Sequence, residues 1–307
     1  MAKKHIIGID LGGTNLKIAL LDRSCRIIHK HTQPTDILAS KEMLITAIAD
    51  AITRILSLYN LTRSGIMGVG LGLPGPIDFD RGIVHFFPNI PGWKDVPLQK
   101  ILEKRTAIPV AVDNDANVMA LAEFTLGAAK GARNAVCLTL GTGVGGGLIL
   151  DGRLFRGSSY AAGEIGHIPV NEKGPACNCG GIACLESYIG NRRIAQKVKA
   201  VFGKDIPLEE VSAMAHRGNR KALAIWESVA VHLGVGLTAV VNLLNPDCIV
   251  IGGGVAGAGS ILFNKVTETI LLRAMLVHAR TVRVVKAKLG NDAGMIGAGL
   301  LVKEKRR

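Results

Sequence analysis

Two segments of this chain, more than a hundred residues apart, follow the same plan. In the first, an apolar run from His5 to Asp10 ends in Asp10-Leu11-Gly12-Gly13-Thr14-Asn15 and resumes as Leu16 to Leu21. In the second, Ala135 to Leu140 leads into Gly141-Thr142-Gly143-Val144-Gly145-Gly146 and resumes as Gly147 to Leu150. Each reads as a strand, a glycine turn carrying a threonine, and a returning strand. A plan used twice constrains the chain to two related halves, each able to offer a phosphate clamp from its own side. It also separates the chain from two common nucleotide folds. In a Rossmann protein the glycine turn joins a strand to a helix, and a P-loop ends in Gly-Lys-Ser/Thr, which neither turn does. Glycine lets backbone N–H groups approach phosphate oxygens with no Cβ in the way, and Asp10 at a strand end suits a metal–phosphate complex. Taken alone, each turn reads equally as an ordinary hairpin.

Between and beyond the hairpins the apolar spacing alternates between helical and extended. Leu44, Ile48, Ile52, Ile55 and Leu56 predict an amphipathic helix over Ser40–Tyr59. Ile66–Leu71 reads as a buried strand emptying into Gly72-Leu73-Pro74-Gly75-Pro76-Ile77-Asp78, at the end of a strand where open α/β sheets bind ligands. In the loop Pro88-Asn89-Ile90-Pro91-Gly92-Trp93, Asn89 could offer an amide to a sugar hydroxyl, and Trp93 reads as a platform or simply as the loop's anchor. Ile108–Val112 is a strand followed by Asp113-Asn114-Asp115-Ala116-Asn117 and a helix over Val118–Gly127. That polar cluster reads either as a helix N-cap or as a general base with amides around it. Asn191–Phe202, Leu208–Ala215 and Lys221–Leu244 are expected helices, Cys248–Ile251 and Val282–Ala287 strands, and Ala293–Leu300 a closely packed helix. The glycine run Gly252–Gly259 permits a flat ligand such as adenine to lie on the backbone, or is a tight strand-to-helix connection.

The cysteines divide into two groups. Cys25, Cys137 and Cys248 stand singly among apolar residues and read as buried small side chains. Cys177, Cys179 and Cys184 cluster in Gly163–Glu186, GEIGHIPVNEKGPACNCGGIACLE, ten residues and more after His167. Three thiols and an imidazole make a Cys₃His set for a tetrahedral metal, zinc by preference, with no open position for a catalytic water. Glu164 and Glu186 bracket the ligands, which a purely structural loop does not need. The expectation is that zinc shapes a pocket wall from which Glu164, His167 and Glu186 face a polyhydroxylated ligand.

Charge narrows the partners. Lys and Arg number 37 against 24 Asp and Glu, a net +13 that suits anionic substrates such as nucleotide phosphates. The basic residues are scattered apart from the Lys303–Arg307 tail, so a nucleic-acid partner is not expected. MAKKHIIGID runs straight into a strand, leaving no room for a signal peptide or a DNA-reading segment before it. Val229–Leu244 is too short and interrupted for a bilayer span. The expectation is a soluble, cytoplasmic protein with no membrane partner.

Together these segments resemble the ROK family (repressor, open reading frame, kinase), most closely its glucokinase-like members. The resemblance covers nearly the whole chain and rests on Asp10-Leu11-Gly12-Gly13-Thr14, Asn114-Asp115-Ala116-Asn117, Leu140–Gly145, Gly163–His167, the CNCGGIACLE segment and Ile251–Gly254. It implies an α/β fold of the actin-like ATPase (ribonuclease H-like) kind, two domains with a central cleft. The small N-terminal domain would span 1–117, completed by the C-terminal helix at about 291–307, and the larger zinc-bearing domain 118–290. By the same resemblance Asp115 is the general base, and Asn89, Asn114, Asp115, Glu164, His167 and Glu186 hold the sugar. Asp10 helps position Mg²⁺, and Gly12, Gly13, Thr14, Gly141, Thr142 and Gly143 hold the ATP phosphates, with Gly253 and Gly254 near the adenosine. His167, Cys177, Cys179 and Cys184 bind zinc, the histidine using its second nitrogen for the sugar. ATP and a hexose are the implied substrates, glucose first, with fructose, allose, N-acetylmannosamine and N-acetylglucosamine as alternatives, and a homodimer is the implied assembly. One departure stands out: family members commonly have glycine before the third cysteine, and here that position is Ala183. A positive φ there would cost an alanine about 1 kcal/mol.

Overall fold

A computed structural model describes residues 4–12, 15–34, 40–87 and 92–306. Gly13, Thr14 and Asn89 therefore lie outside the described residues. Chain contacts divide the protein into two units. The first comprises Met1–Thr125, Leu154–Ala162 and Asn291–Arg307, and the second Leu126–Arg153 and Gly163–Gly290. Residues 118–125 and 154–162 thus group with the first unit, whereas the sequence reading ended that domain at 117.

The first unit is built on a sheet whose hairpin follows from the Asp10–Asn15 turn. β1 (His5–Leu11) pairs antiparallel with β2 (Asn15–Asp22), with Asp10 opposite Lys17 and Leu11 opposite Leu16. β2 pairs with β3 (Ile27–Pro34), a polar, largely exposed edge. β4 (Ile66–Leu73) runs parallel to β1, giving part of the order β3-β2-β1-β4-β8. β5 (Ile77–Asp78), β6 (Ile83–Phe86) and β7 (Lys94–Val96) form a separate small sheet. β8 (Val110–Asn114) lies parallel to β4 and ends in the polar cluster. α1 (Lys41–Leu58) buries Leu44, Ile48, Ile52 and Ile55, the predicted stripe, and is capped by Ser40 Oγ accepting from Met43 N–H. Trp93 resolves as the anchor: it is 3% exposed and its ring lies 5.3 Å from Phe87. α2 (Leu98–Thr106) and α3 (Asp115–Thr125) complete the local elements. The C-terminal helix (Ala293–Glu304) packs on α3, β1, β4 and β8. Its small residues admit a close approach: Cβ atoms at Gly297 and Gly70 would lie 1.7 Å from the carbonyl oxygens of Val118 and Ala298.

The second unit repeats the sheet. β9 (Ala135–Leu140) and β10 (Val144–Leu150) are antiparallel, β11 (Arg153–Phe155) flanks β10, and β12 (Cys248–Gly252) and β13 (Arg283–Lys286) add in parallel on the other side. The order β11-β10-β9-β12-β13 matches β3-β2-β1-β4-β8 strand for strand, so the duplication read from the two glycine turns extends to whole sheets. Around it stand α4 (Glu186–Ile189), α5 (Asn191–Phe202), α6 (Leu208–His216), α7 (Arg220–Leu244), α8 (Ser260–Arg273) and α9 (Leu276–Thr281). α7 is long and apolar enough to cross a bilayer, more so than its Val229–Leu244 run suggested. It is nevertheless a core helix, with Trp226, Val229, Leu233, Leu237 and Val241 buried. Cys25, Cys137 and Cys248 are fully buried, as their apolar surroundings predict.

Candidate active site

In the first unit the chemistry gathers at the carboxyl ends of β1 and β8. Asp10 ends β1, and its register partner Lys17 brings Nζ to 3.4 Å from Oδ2. Burial raises the Asp10 carboxyl above its ordinary value, and Lys17 offsets only part of that. Gly294 of the C-terminal helix lies so close that a Cβ there would sit 2.3 Å from Asp10 Cγ. Gly12 donates its N–H to Asn15 O at 2.9 Å, closing the turn.

The Asp113–Asn117 cluster carries the helix cap of its first reading. α3 begins at Asp115, three residues earlier than the apolar pattern predicts. Asn114 is its cap: Oδ1 accepts from Ala116 N–H at 2.9 Å and Asn117 N–H at 3.3 Å, and Nδ2 donates to Gly75 O at 3.1 Å. Among the described residues, the second amide hydrogen of Asn114 meets no acceptor and could serve a ligand. Asp115, partly exposed, is the first residue of the helix, and its Oδ1 accepts from Ala116 N–H at 2.8 Å, at the helix end that favours a carboxylate. Beneath it Asp113 is buried and accepts from Arg156 Nε at 2.7 Å, Asn117 Nδ2 at 2.9 Å and Asn114 N–H at 2.7 Å.

In the second unit the glycine turn and the cysteine stretch meet. Glu186 Oε2 accepts from Val144 N–H at 2.8 Å, and a Cβ at Gly143 would lie 2.6 Å from the same oxygen. Asn191 N–H donates to Gly141 O at 2.9 Å, so the starts of α4 and α5 hold both sides of the turn. A cavity of about 190 Å³ opens there, lined in part by Thr142, Glu186, Gly190 and Arg192. A second, of about 410 Å³, is lined in part by Asn191, Arg192, Ile206, Leu208 and Gly254. Among the described residues, no hydrogen-bond partner reaches the buried Asn191 Oδ1. Gly253 has φ 82°, and a Cβ there would lie 2.2 Å from Leu140 O.

Gly163, at φ 90°, packs its backbone on Gly146, where a Cβ would fall 2.5 Å from Gly146 O. This seats Glu164 and His167 over β10. His167 Nδ1 lies 3.6 Å from Cys177 Sγ, and Nε2 points the other way, 3.8 Å from Glu164 Oε2. The His167 nitrogen and the Cys177, Cys179 and Cys184 sulfurs all fall within 4.8 Å of one another. Cys179 and Cys184 Sγ are 3.8 Å apart, the edge expected of a tetrahedron with metal–sulfur bonds of about 2.3 Å. The donor set therefore fits a metal ion. Burial pushes the Cys184 thiol up to about 12, with Cys179 and Cys177 adding to it. Burial also opposes ionisation of Cys177, but the Cys179 backbone N–H and neighbouring side chains outweigh it and bring that thiol down to about 7. Thiols this crowded ionise together only against a cation. Ala183 has φ 54° and is fully buried, the condition under which alanine is strained.

Several contacts around these residues were not anticipated from the sequence. Lys17 could have been found by counting across the hairpin turn. Arg156, Glu304 and Gly294 carried no signal, because their partners lie far away in the chain.

The sequence profile of the ROK family matches residues 6–305. A glucokinase of Halalkalibacterium halodurans is 40% identical, covering 99% of this chain and 96% of that protein. A ROK family glucokinase from Streptomyces griseus, solved in complex with glucose and AMPPNP, superposes with a TM-score of 0.82 at 31% identity, covering 98% of this chain and 99% of that one. A xylose repressor of Caldicellulosiruptor bescii is 30% identical over 97% of this chain, which spans 77% of the repressor.

Proposed function

The chain belongs to the ROK family, and on that premise we propose that it is an ATP-dependent sugar kinase of glucokinase type, converting glucose to glucose 6-phosphate. The observation that carries the reading is the full-length similarity to glucokinases in a chain that keeps Asp115, a carboxylate at the first position of α3, a helix capped by Asn114.

Asp115 takes the proton of the sugar's primary hydroxyl as its oxygen attacks the γ-phosphorus in line, and ADP leaves. Base catalysis of this kind supplies about 10²–10⁴-fold, the remainder coming from positioning and charge stabilisation. Asn89, Asn114, Glu164, His167 and Glu186 orient the sugar. The Gly12–Thr14 and Gly141–Gly143 turns receive the phosphates, and the Gly254 cavity receives the adenosine. Asp10 would be the protein carboxylate holding a magnesium ion with the substrate phosphates, and that ion would supply charge neutralisation to the transfer. His167, Cys177, Cys179 and Cys184 would hold zinc as a structural brace. Ligation through Nδ1 would fix the tautomer and leave Nε2 to meet a hydroxyl. The reading includes a soluble cytoplasmic enzyme that pairs as a homodimer. Support for pairing comes from an exposed apolar surface on the second unit made by Leu243, Leu272, Met275, Leu276 and Val277.

The test is ADP release in a coupled assay across hexoses and N-acetylhexosamines with ATP and Mg²⁺. Glucose is expected to give the highest kcat/KM. A higher value with another sugar reassigns the substrate, and no turnover with any sugar removes the kinase reading in favour of a sugar sensor.

A further inference from the structure

Asp113 is 1% exposed at the end of β8, two residues before the proposed base, and its carboxylate is saturated from three directions. Oδ1 accepts from Asn114 N–H at 2.7 Å and from Asn117 Nδ2 at 2.9 Å, so it spans the first turn of α3 with Asp115 between the two contacts. Oδ2 takes Arg156 Nε at 2.7 Å. The other two nitrogens of that guanidinium reach Glu304 at 2.9 Å and 3.2 Å, and its carbon sits 3.7 Å over the centre of the Phe79 ring. Arg156 is thus held on three sides and cannot swing away from Asp113 without leaving a buried carboxylate uncompensated. Burial alone raises the Asp113 carboxyl, and the guanidinium, Asn117 and Asn114 act against it.

We propose that Asp113 and Arg156 are positioning residues for the phosphoryl transfer: the pair fixes the turn that carries Asp115 and so sets where its carboxylate meets the sugar hydroxyl. The proposal rests on the reading of Asp115 as base. Proton abstraction requires approach to about 2.6–3.2 Å, and a misplacement of about 1 Å costs on the order of 10²-fold in rate. A pair that served stability alone would need no link to Asn114 and Asn117. The link places the turn under the same lock that fastens Glu304 of the C-terminal helix.

The experiment compares Asp113→Asn, Arg156→Met, Asn117→Ala and Glu304→Gln by kcat, by KM for glucose and for ATP, and by melting temperature. Asp113→Asn and Arg156→Met are expected to lower kcat ten- to hundredfold while both KM values stay within about threefold. Asn117→Ala leaves the ion pair whole and removes only the hold on the helix turn, so a drop of about tenfold in kcat is expected there too. Glu304→Gln perturbs the same guanidinium from the far side and should keep kcat within twofold despite a lower melting temperature. The proposal is overturned if Asn117→Ala keeps wild-type kcat, or if Glu304→Gln loses as much kcat as Asp113→Asn. Should Asp113→Asn fail to fold, the Asn117 and Glu304 variants decide between the outcomes by themselves. Absence of turnover in the wild-type protein overturns the base reading, and this proposal with it.

Discussion

The carboxylate end of the first unit and the Gly163–Glu186 stretch of the second are held in place by different means. Around Asp10 and Asp115, position comes from packing and ion pairing within the chain. Lys17 faces Asp10, Arg156 faces Asp113, and the C-terminal helix lies against both α3 and Asp10. Around His167, regular structure is sparse. One 3₁₀ turn at Ile165–His167 and two isolated bridges, Pro169 to Cys184 and Ala176 to Ile182, are the ladder and helix bonds among residues 163–185. Four metal-type donors crowd within 4.8 Å instead. One region is preorganised by its own side chains, while on the proposed reading an ion would hold the shape of the other. Damage should accordingly appear as lost chemistry in the first and as lost ligand grip in the second.

The largest effect expected is that of Asp115→Ala. Turnover should fall about 10²–10⁴-fold with sugar affinity still measurable by calorimetry, and near-normal turnover would remove the base from the first region. Next comes the metal. Chelation, or Cys179→Ser, should weaken sugar binding about 10–100-fold and leave the ATP dissociation constant nearly unchanged. Equal loss of both affinities would mean that the stretch supports the whole fold and the contrast between regions fails. Gly294→Ala drives a methyl into the Asp10 carboxylate, an overpacking that costs about 1–3 kcal/mol. The expected signature is a raised KM for ATP with the KM for glucose little changed, read from paired titrations. The smallest effect is Ala183→Gly, which relieves a positive φ inside the metal stretch. It should raise the stability of the metal-free protein by about 1 kcal/mol or less in a denaturant titration. A destabilised variant would mean that the buried Ala183 methyl contributes more packing than its backbone costs.

Local patterns were legible where the physics is local. The two hairpins were readable because a glycine turn between two apolar runs fixes its own register within a few residues, and the metal set because its four donors lie within eighteen positions of one another. α1 and α5 were readable from the spacing of their apolar residues. The start of α3 was misjudged, since the apolar pattern begins at Val118 while Asn114 already caps the helix. The polar edge strand β3 and the short strands β5 to β7 carried no alternation to read. Glu186 was visible as a carboxylate beside the cysteines, but its bond to Val144 N–H was not, because the partner stands 42 residues away.

By itself the sequence determined the duplicated α/β plan, the grouping of His167 with Cys177, Cys179 and Cys184, and the polar cluster that caps α3, all of them set by residue type and spacing over short stretches. Tertiary structure alone decided what each carboxylate is tied to. Asp113 meets Arg156 across 43 residues, Arg156 meets Glu304 across 148, and Gly294 is brought against Asp10 from the far end of the chain. Such contacts depend on which faces the folded elements bury together, and no periodicity along the chain records which partner will arrive.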